Sequence, residues 1–308
     1  MIEKTVLQKI FPAFGTVNSV TLYGSFGPEI AQQVKKRAME LHRLFSFFEP
    51  GSDIFRINEQ AGIEPVSVRQ ETLSVLSHAL AYGRETQGAF DVTAGAAARL
   101  WRDAIRSAGI PSKPEIAGCR RLSGLDDLIL DEAARTVFLR RKGQQVDLGG
   151  IAKGYAADEA VSLLKEYKVS KALINFGGIV IVMGGEQKVG IQNPYQKNGE
   201  SVADIIVENR AVVTSGTYER GFFYEGRRYH HIIDPRTGRP ADSGLLSVTL
   251  IGGSAMELDA LATGICVLGE EGGLPLLEQR GIEAVLIRDD GEIRITHGLQ
   301  GKFFMSRK

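Results

Sequence analysis

Asp259 and Thr263 stand one helical turn apart in a run, 256–268, whose apolar residues recur at helical spacing, so a carboxylate and a hydroxyl share one helix face. Oxygen ligands of this kind suit magnesium, which keeps several waters and takes substrate phosphates as further ligands. The pair also has a plain explanation, because an acidic residue favours an early helical turn and a threonine bonds back to a carbonyl. What separates the two is whether Asp259 meets the glycine-rich stretch 146–158 in space. That stretch reads Val-Asp-Leu-Gly-Gly-Ile-Ala-Lys-Gly-Tyr-Ala-Ala-Asp. An apolar strand-like run, 137–139, precedes it, and Ile151, Tyr155, Ala156, Ala160, Leu163 and Leu164 mark one helix face after it. Gly149-Gly150 therefore lies where extended chain turns into helix, free to reach conformations closed to other residues and to let a ligand approach the main chain. A helix start offers N–H groups and a positive dipole end to a phosphate, and Lys153 in the first turn adds a full charge. Asp147 is out of place beside an anion unless it holds a metal, a ring N–H or a ribose hydroxyl. The bland alternative is a glycine turn with a solvated lysine.

His230-His231 precedes the turn Asp234-Pro235-Arg236-Thr237-Gly238. On a strand one of two neighbours faces in and the other out, so one imidazole serves a site and the other, His230, reads as a surface group. Arg236 and Arg239 clamp a phosphate or, more simply, are solvated turn residues. Thr214-Ser215-Gly216-Thr217 is either an oxygen-lined loop or a turn whose hydroxyls bond their own backbone. Phe47-Phe48 and Phe90-Asp91 have the composition that stacks a flat heterocycle, though such pairs are ordinarily core.

The elements that must carry these groups follow from periodicity. Strands are expected at 18–23, 172–175, 179–183, 189–191, 205–207, 211–213, 228–233 and 245–251, with a closing hairpin of 284–287 and 293–295. Helices are expected from Pro28 to Phe45, over 72–85, around Leu100-Trp101 and Ile105, after Gly150, and over 256–268. Proline, glycine and polar residues make 110–125 a connector leaving a first lobe. Strands in runs with helices interspersed argue an α+β fold. With 37 basic and 37 acidic residues in 308, no net field draws nucleic acid or an anionic membrane. Cys119 and Cys266 form neither a disulfide framework nor a zinc pattern. Residues 1–14 lack a continuous apolar run, so the chain as it stands reads as cytoplasmic with no membrane span; an exported or membrane-associated protein whose leader had been removed would read the same.

In order along the chain, Phe14-Gly15-Thr16, Ala89-Phe90-Asp91-Val92-Thr93, Asp147-Leu148-Gly149-Gly150-Ile151-Ala152-Lys153-Gly154-Tyr155, Asn175-Phe176-Gly177-Gly178, Thr214-Ser215-Gly216, the His231-to-Gly238 block and Asp259-Ala260-Leu261-Ala262-Thr263 resemble the FAD:protein FMN transferases of the ApbE family. The central and His231 blocks are the specific ones. The resemblance implies a tunnelling-fold-like α+β protein, one domain over 1–308 with lobes at 1–110 and 111–308, and an FAD and metal site between them. Enzymes of this kind cleave the FAD pyrophosphate with Mg2+ and pass FMN to a Thr or Ser hydroxyl of an acceptor protein, releasing AMP; some use water. It places Phe14, Phe48, Ala89, Phe90, Asp91, Asp147, Lys153 and Ile232 at the FAD site. The metal ligands it implies are Asp259, Thr263 and the main-chain oxygen of Gly150, and it sets His231 in the block associated with the reacting phosphate; His231 and Asp259 are the catalytic residues it implies, Asp259 as a metal ligand and not a base. Three positions depart from the family. Phe14 replaces a common Met, Phe48 a frequent Tyr, and Ile179 the usual Asp. An FAD pyrophosphatase yielding FMN and AMP, and a non-catalytic FAD carrier hinted at by Ile179, are the competing readings.

Overall fold

The computed structural model describes residues 6–196 and 199–306, so residues 1–5 of the N-terminal stretch lie outside it. The strand expected at 18–23 is the inner part of β2 (Thr16–Tyr23), paired antiparallel with β1 (Val6–Ala13). The β1 strand escapes pattern reading because apolar Val6, Ile10 and Pro12 face outward at a sheet edge while Lys9 stands on the more buried side, which blurs the alternation. Phe14 and Gly15 join the pair with φ of 53° and 70°, the turn geometry that matches the strands' twist, and Phe14 bears the strain of a side chain there.

Pro28 opens α1 (Pro28–Leu44), which buries Ile30, Val34, Ala38 and Leu41. Ser52 caps α2 (Asp53–Glu59) by accepting the N–H of Phe55. After β3 (Val66–Ser67) come α3 (Gln70–Glu85) and α4 (Gly95–Ser107). The stretch 110–125 is not a bare connector. It holds α5 (Lys113–Arg120), started by a capping box between Ser112 and Glu115, and its proline sits in the first turn, where a missing N–H is harmless. Strands β4 (Leu128–Asp131) and β5 (Thr136–Leu139) complete a small sheet with β3 before α6 (Ala152–Glu166).

The later chain supplies β6 (Ala172–Phe176), β7 (Ile179–Met183), β8 (Glu186–Gln192), β9 (Ser201–Glu208) and β10 (Ala211–Gly216). Two ribbons follow, β11 (Gly221–Tyr224) with β12 (Arg227–His230), and β13 (Ile233–Asp234) with β14 (Arg239–Pro240). The strand expected over 228–233 is thus broken at His231, where the chain bends between ribbons. Then come β15 (Leu245–Gly252), α7 (Ala255–Arg280), β16 (Glu283–Arg288), β17 (Ile293–Ile295) and β18 (Phe303–Met305).

One antiparallel sheet, ordered β1-β2-β6-β7-β10-β15-β16-β17, is the frame, and both sides of residue 110 contribute to it. Helices α1, α6 and α7 cover one face in the largest core, and the β18-β9-β8 sheet covers the other through Val189, Ile191, Ile205 and Val207. A third core gathers Trp101 and Ala104 with Ile116 and Ile233, fastening α4 and α5 to the β13 ribbon. The architecture is α+β, as expected. Over 258–268 helix α7 is apolar on nearly every side, Asp259 and Thr263 apart, because it lies between sheet and helices; by length and composition alone the helix could cross a bilayer. It outruns the expected 256–268 because the chain resumes as helix past a kink at Gly269, where φ is 77°.

Candidate active site

Asp259 meets the glycine turn. Its carboxylate, 3% exposed, accepts the Gly154 N–H at 3.1 Å, and Lys153 Nζ stands 3.4 and 3.5 Å from its two oxygens. Lys153 Nζ also donates to the Gly149 carbonyl at 3.1 Å. One turn on, Thr263 Oγ1 donates to the Asp259 carbonyl at 3.0 Å and lies 3.4 Å from Ser215 Oγ. A side chain at Gly150 would stand 3.0 Å from Thr263 Oγ1 and 3.3 Å from the Phe90 ring. Asp259, Thr263, Ser215 and the Gly149-Gly150 backbone therefore form one oxygen-lined corner.

Two expectations about this corner need correction. Neither Gly149 nor Gly150 adopts a left-handed backbone; what demands glycine at 150 is the close approach of Thr263 and Phe90. Nor is the start of α6 a row of free donors, since Leu148 O takes the Ala152 N–H and Asp259 takes that of Gly154. The reason is a reciprocal cap. Asp158 on α6 accepts from Ala255 N, Met256 N and Ser254 Oγ at 2.8–3.0 Å, while Asp259 on α7 closes the start of α6. Burial pushes the Asp158 pKa up, against the pull of these three donors. The two helices cross so tightly that a Cβ at Gly154 would stand 2.3 Å from the Ala255 carbonyl.

From this corner a line of contacts runs to an aromatic slot. Gly149 N–H donates to Asp147 Oδ1 at 2.7 Å, and Asp147 Oδ2 is paired with Arg102 Nη2 at 2.6 Å. The Arg102 guanidinium lies over the Phe48 ring at 4.8 Å and the Phe47 ring at 5.2 Å. Phe48 is 57% exposed. Phe90 and Ala89 are buried, so Phe90 braces Gly150 with its ring rather than offering a free face. Asp91 Oδ1 accepts from Thr93 N and Thr93 Oγ1, and burial raises its pKa against those bonds.

The opposite rim carries His231. Its N–H and its Nδ1 both face the Arg220 carbonyl, at 3.2 and 3.3 Å. A carbonyl only accepts, so Nδ1 carries the proton and Nε2 is left as a lone pair. The residue is exposed as a whole, yet surrounding protein desolvates the imidazole, and Arg220, His230 and Lys153 add positive charge; its pKa is pushed down to about 4. The Arg220 guanidinium reaches the Phe14-Gly15 turn, and Phe14 packs edge-on against His42 at 5.3 Å. His230 is not a surface group. It is 5% exposed, its Nε2 bonds the Ala241 carbonyl at 3.0 Å, and its Nδ1 accepts the Ile232 N–H at 3.3 Å. Ile232 points into the main core, and its carbonyl accepts from Ala241 N. Arg236 pairs with Asp234 beside it, and Arg239 is exposed. Both cysteines are free, and burial raises the Cys266 pKa to about 12.

The ApbE family profile matches residues 14–286. The chain belongs to the ApbE family. An FAD:protein FMN transferase of Klebsiella pneumoniae (strain 342) is 37% identical over 246 residues, 80% of this chain and 78% of that protein. The protein of the same name from Treponema pallidum (strain Nichols) is 35% identical over 267 residues, 80% of this chain and 74% of its own. Among solved structures, the ApbE protein of Thermotoga maritima matches with a TM-score of 0.88 at 30% identity, over 98% of this chain and 100% of that one. The flavin transferase ApbE of Vibrio cholerae matches at 0.84 and 27% identity, over 97% and 99%. Of the ApbE blocks read along the sequence, Phe90, Asp147 to Gly154, Ser215 and Asp259 to Thr263 meet at the corner described above, while the end of the His231-to-Gly238 block packs on α4 and α5. Ile179, the departure noted along the sequence, is 1% exposed in the main core. Arg102 and Arg220 belong to no block, and only the folded chain brings them to the site.

Proposed function

We propose that this ApbE chain is a flavin transferase that cleaves FAD at its pyrophosphate and passes FMN to a Thr or Ser hydroxyl of an acceptor protein. What carries the reading is the unbroken line from the aromatic slot through Asp147, Gly149 and Lys153 to Asp259 and Thr263. It offers a ring site at one end and a cation-ready, lysine-flanked corner at the other. The naming of the relatives as FAD:protein FMN transferases supports it.

The donor set fits Mg2+: one carboxylate with neutral hydroxyl and carbonyl oxygens, leaving room for waters and phosphate oxygens. Among the described residues no cluster of three or more Asp, Glu, His or Cys gathers, so a cation here depends on Asp259, with Thr263 and the Gly150 carbonyl. When bound, such a cation offsets negative charge developing on the phosphoryl oxygens. The chain's own groups do the rest. Lys153 sets an ammonium beside the turn where the phosphates sit, and Arg102 and Phe48 hold the ring end. His231, neutral at pH 7, takes the hydroxyl proton on Nε2 as the hydroxyl oxygen bonds to the FMN phosphorus. The bond from that phosphorus to the bridging oxygen breaks, and the oxygen leaves with AMP.

The test supplies FAD and Mg2+ with and without a threonine-containing acceptor domain, and reads covalent flavin fluorescence on a denaturing gel beside AMP by chromatography. Labelled acceptor with matching AMP is expected. Steady AMP and free FMN with no labelled band, across several acceptor domains, would make the protein a pyrophosphatase; binding without AMP would make it a carrier.

A further inference from the structure

The turn that ends the His231-to-Gly238 block opens a cavity against the end of α5. Arg120, Arg121, Arg141 and Arg236 line it, and no acidic side chain does. All four arginines are exposed. They come from three stretches of chain that are fastened to one another. Gly238, at a φ of 69°, packs so closely that a Cβ there would stand 3.1 Å from Arg120 Cβ and 3.2 Å from the Ile116 carbonyl. Trp101 Nε1 donates to the Gly238 carbonyl at 2.8 Å, and the Arg141 guanidinium donates to the Arg121 carbonyl. Two of the four charges are answered, Arg141 by Asp127 and Arg236 by Asp234, whereas Arg120 and Arg121 pair with no carboxylate among the described residues. In a chain whose 37 basic and 37 acidic residues balance, this is a local excess of charge and not a general one. Like charges gathered in one cavity repel, and an anion between them removes that cost.

We propose that this cavity is a docking site for acidic side chains of the acceptor protein, gripping them while the acceptor hydroxyl lies at His231. The proposal rests on the reading that the chain is a flavin transferase. Charge selects the occupant's chemistry: exposed guanidinium forks on open walls match carboxylates presented from another surface, each able to take two parallel N–H bonds. Position selects the acceptor as its source. Arg236 stands five residues on from His231 in the same block, so their Cα atoms are at most about 18 Å apart. An extended acceptor chain with its hydroxyl at His231 therefore reaches the cavity with side chains about five residues away. The phosphates of FAD have their own cation in Lys153, at the corner with Asp259.

The test measures the binding of two rhodamine-labelled synthetic peptides to the full chain by anisotropy. Each has a central threonine, flanked about five residues to either side by a pair of aspartates in one peptide and of asparagines in the other. At low salt the wild type should bind the aspartate peptide about 5- to 30-fold more tightly, and about 0.5 M salt should erase the difference. The double variant Arg120→Gln, Arg121→Gln should erase it at low salt, with FAD affinity and acceptor-free AMP release within about twofold of wild type and thermal melts confirming the fold. Arg121→Glu, a single change at an exposed position, should weaken the aspartate peptide alone. Equal binding of the two peptides by the wild type, with AMP still released from FAD, would overturn the proposal and leave the functional reading standing. An unchanged preference in both variants would overturn it too, as would displacement of the aspartate peptide by AMP, which would give the cavity to a nucleotide phosphate. A wild type that releases no AMP from FAD would refute the functional reading, and the acceptor as occupant with it.

Discussion

Replacing Asp259 separates the site's chemistry from its architecture, because the carboxylate has two duties with different requirements. Its oxygen caps the Gly154 N–H at 3.1 Å, which an amide oxygen also does; its charge faces Lys153 and the proposed cation, which an amide cannot match. In Asp259→Asn the cap survives and the ion pair is lost. At 3.4 Å, with the Lys153 side chain 23% exposed, that pair is worth about 1 kcal/mol rather than the several of a fully buried one. The melting temperature should fall by about 2 °C. In Asp259→Ala the Gly154 donor is orphaned as well, adding about 1–3 kcal/mol. Activity should not follow that ranking. Removing a group that only hydrogen-bonds a metal's ligand commonly costs 10–100-fold in affinity, and removing the one carboxylate should cost about 100-fold or more. The Mg2+ concentration for half-maximal AMP release should thus rise by that factor in both variants, despite their different stabilities. An Asn variant with the wild-type Mg2+ dependence would refute the metal assignment.

His231→Gln should reduce AMP release by about 100-fold or more, the usual range for a lost general base, with FAD affinity nearly unchanged; a matching loss of affinity would instead make His231 a binding group. His230 bears on stability. Both its ring nitrogens are engaged in the neutral form and burial pushes its pKa down to about 4, below the unfolded value near 6.5. The unfolded chain therefore binds the proton first as pH falls, so the contribution is complete above about 6.5 and is lost between there and about 4. About 2 kcal/mol should be gone by pH 5, and His230→Gln should flatten that slope in urea midpoints measured from pH 7 to 5. Mg2+ and FAD should tighten each other's binding by the same factor in His231→Gln, which holds both without turnover. The charged groups of the site, Asp91, Asp147 and Asp259 against Arg102, Lys153 and Arg220, balance, so neither ligand meets a strong field alone. An FAD affinity indifferent to Mg2+ would count against the shared corner.

What could be read along the chain was whatever is local. The spacing of Asp259 and Thr263 on one helix face and the glycine turn before a helix each sit within one short stretch, and the folded chain brings the two into one corner. The rest was hidden for identifiable reasons. Proline and glycine made the α5 stretch look like a connector because a first-turn proline and a chain-breaking proline are the same letter, and only the Ser112–Glu115 box distinguishes them. His230 was read as a surface group because a bend at His231 cancels the strand alternation that would have sorted the pair. Of the two reasons read for glycine at 150, backbone freedom is not used there, and the close approach of Thr263 and Phe90 is a reason the sequence does not display, since a close neighbour and a positive φ select glycine alike. Arg102 and the reciprocal caps are the deepest case. Asp158 and Asp259 lie on different helices, and Arg102 answers to a carboxylate and two phenyl rings from elsewhere in the chain. No single-element pattern encodes such a partnership. The helix crossing at Gly154 sets Asp259 against the start of α6, and so the same contact that packs α6 on α7 also aims the carboxylate at the turn where the phosphates are proposed to sit.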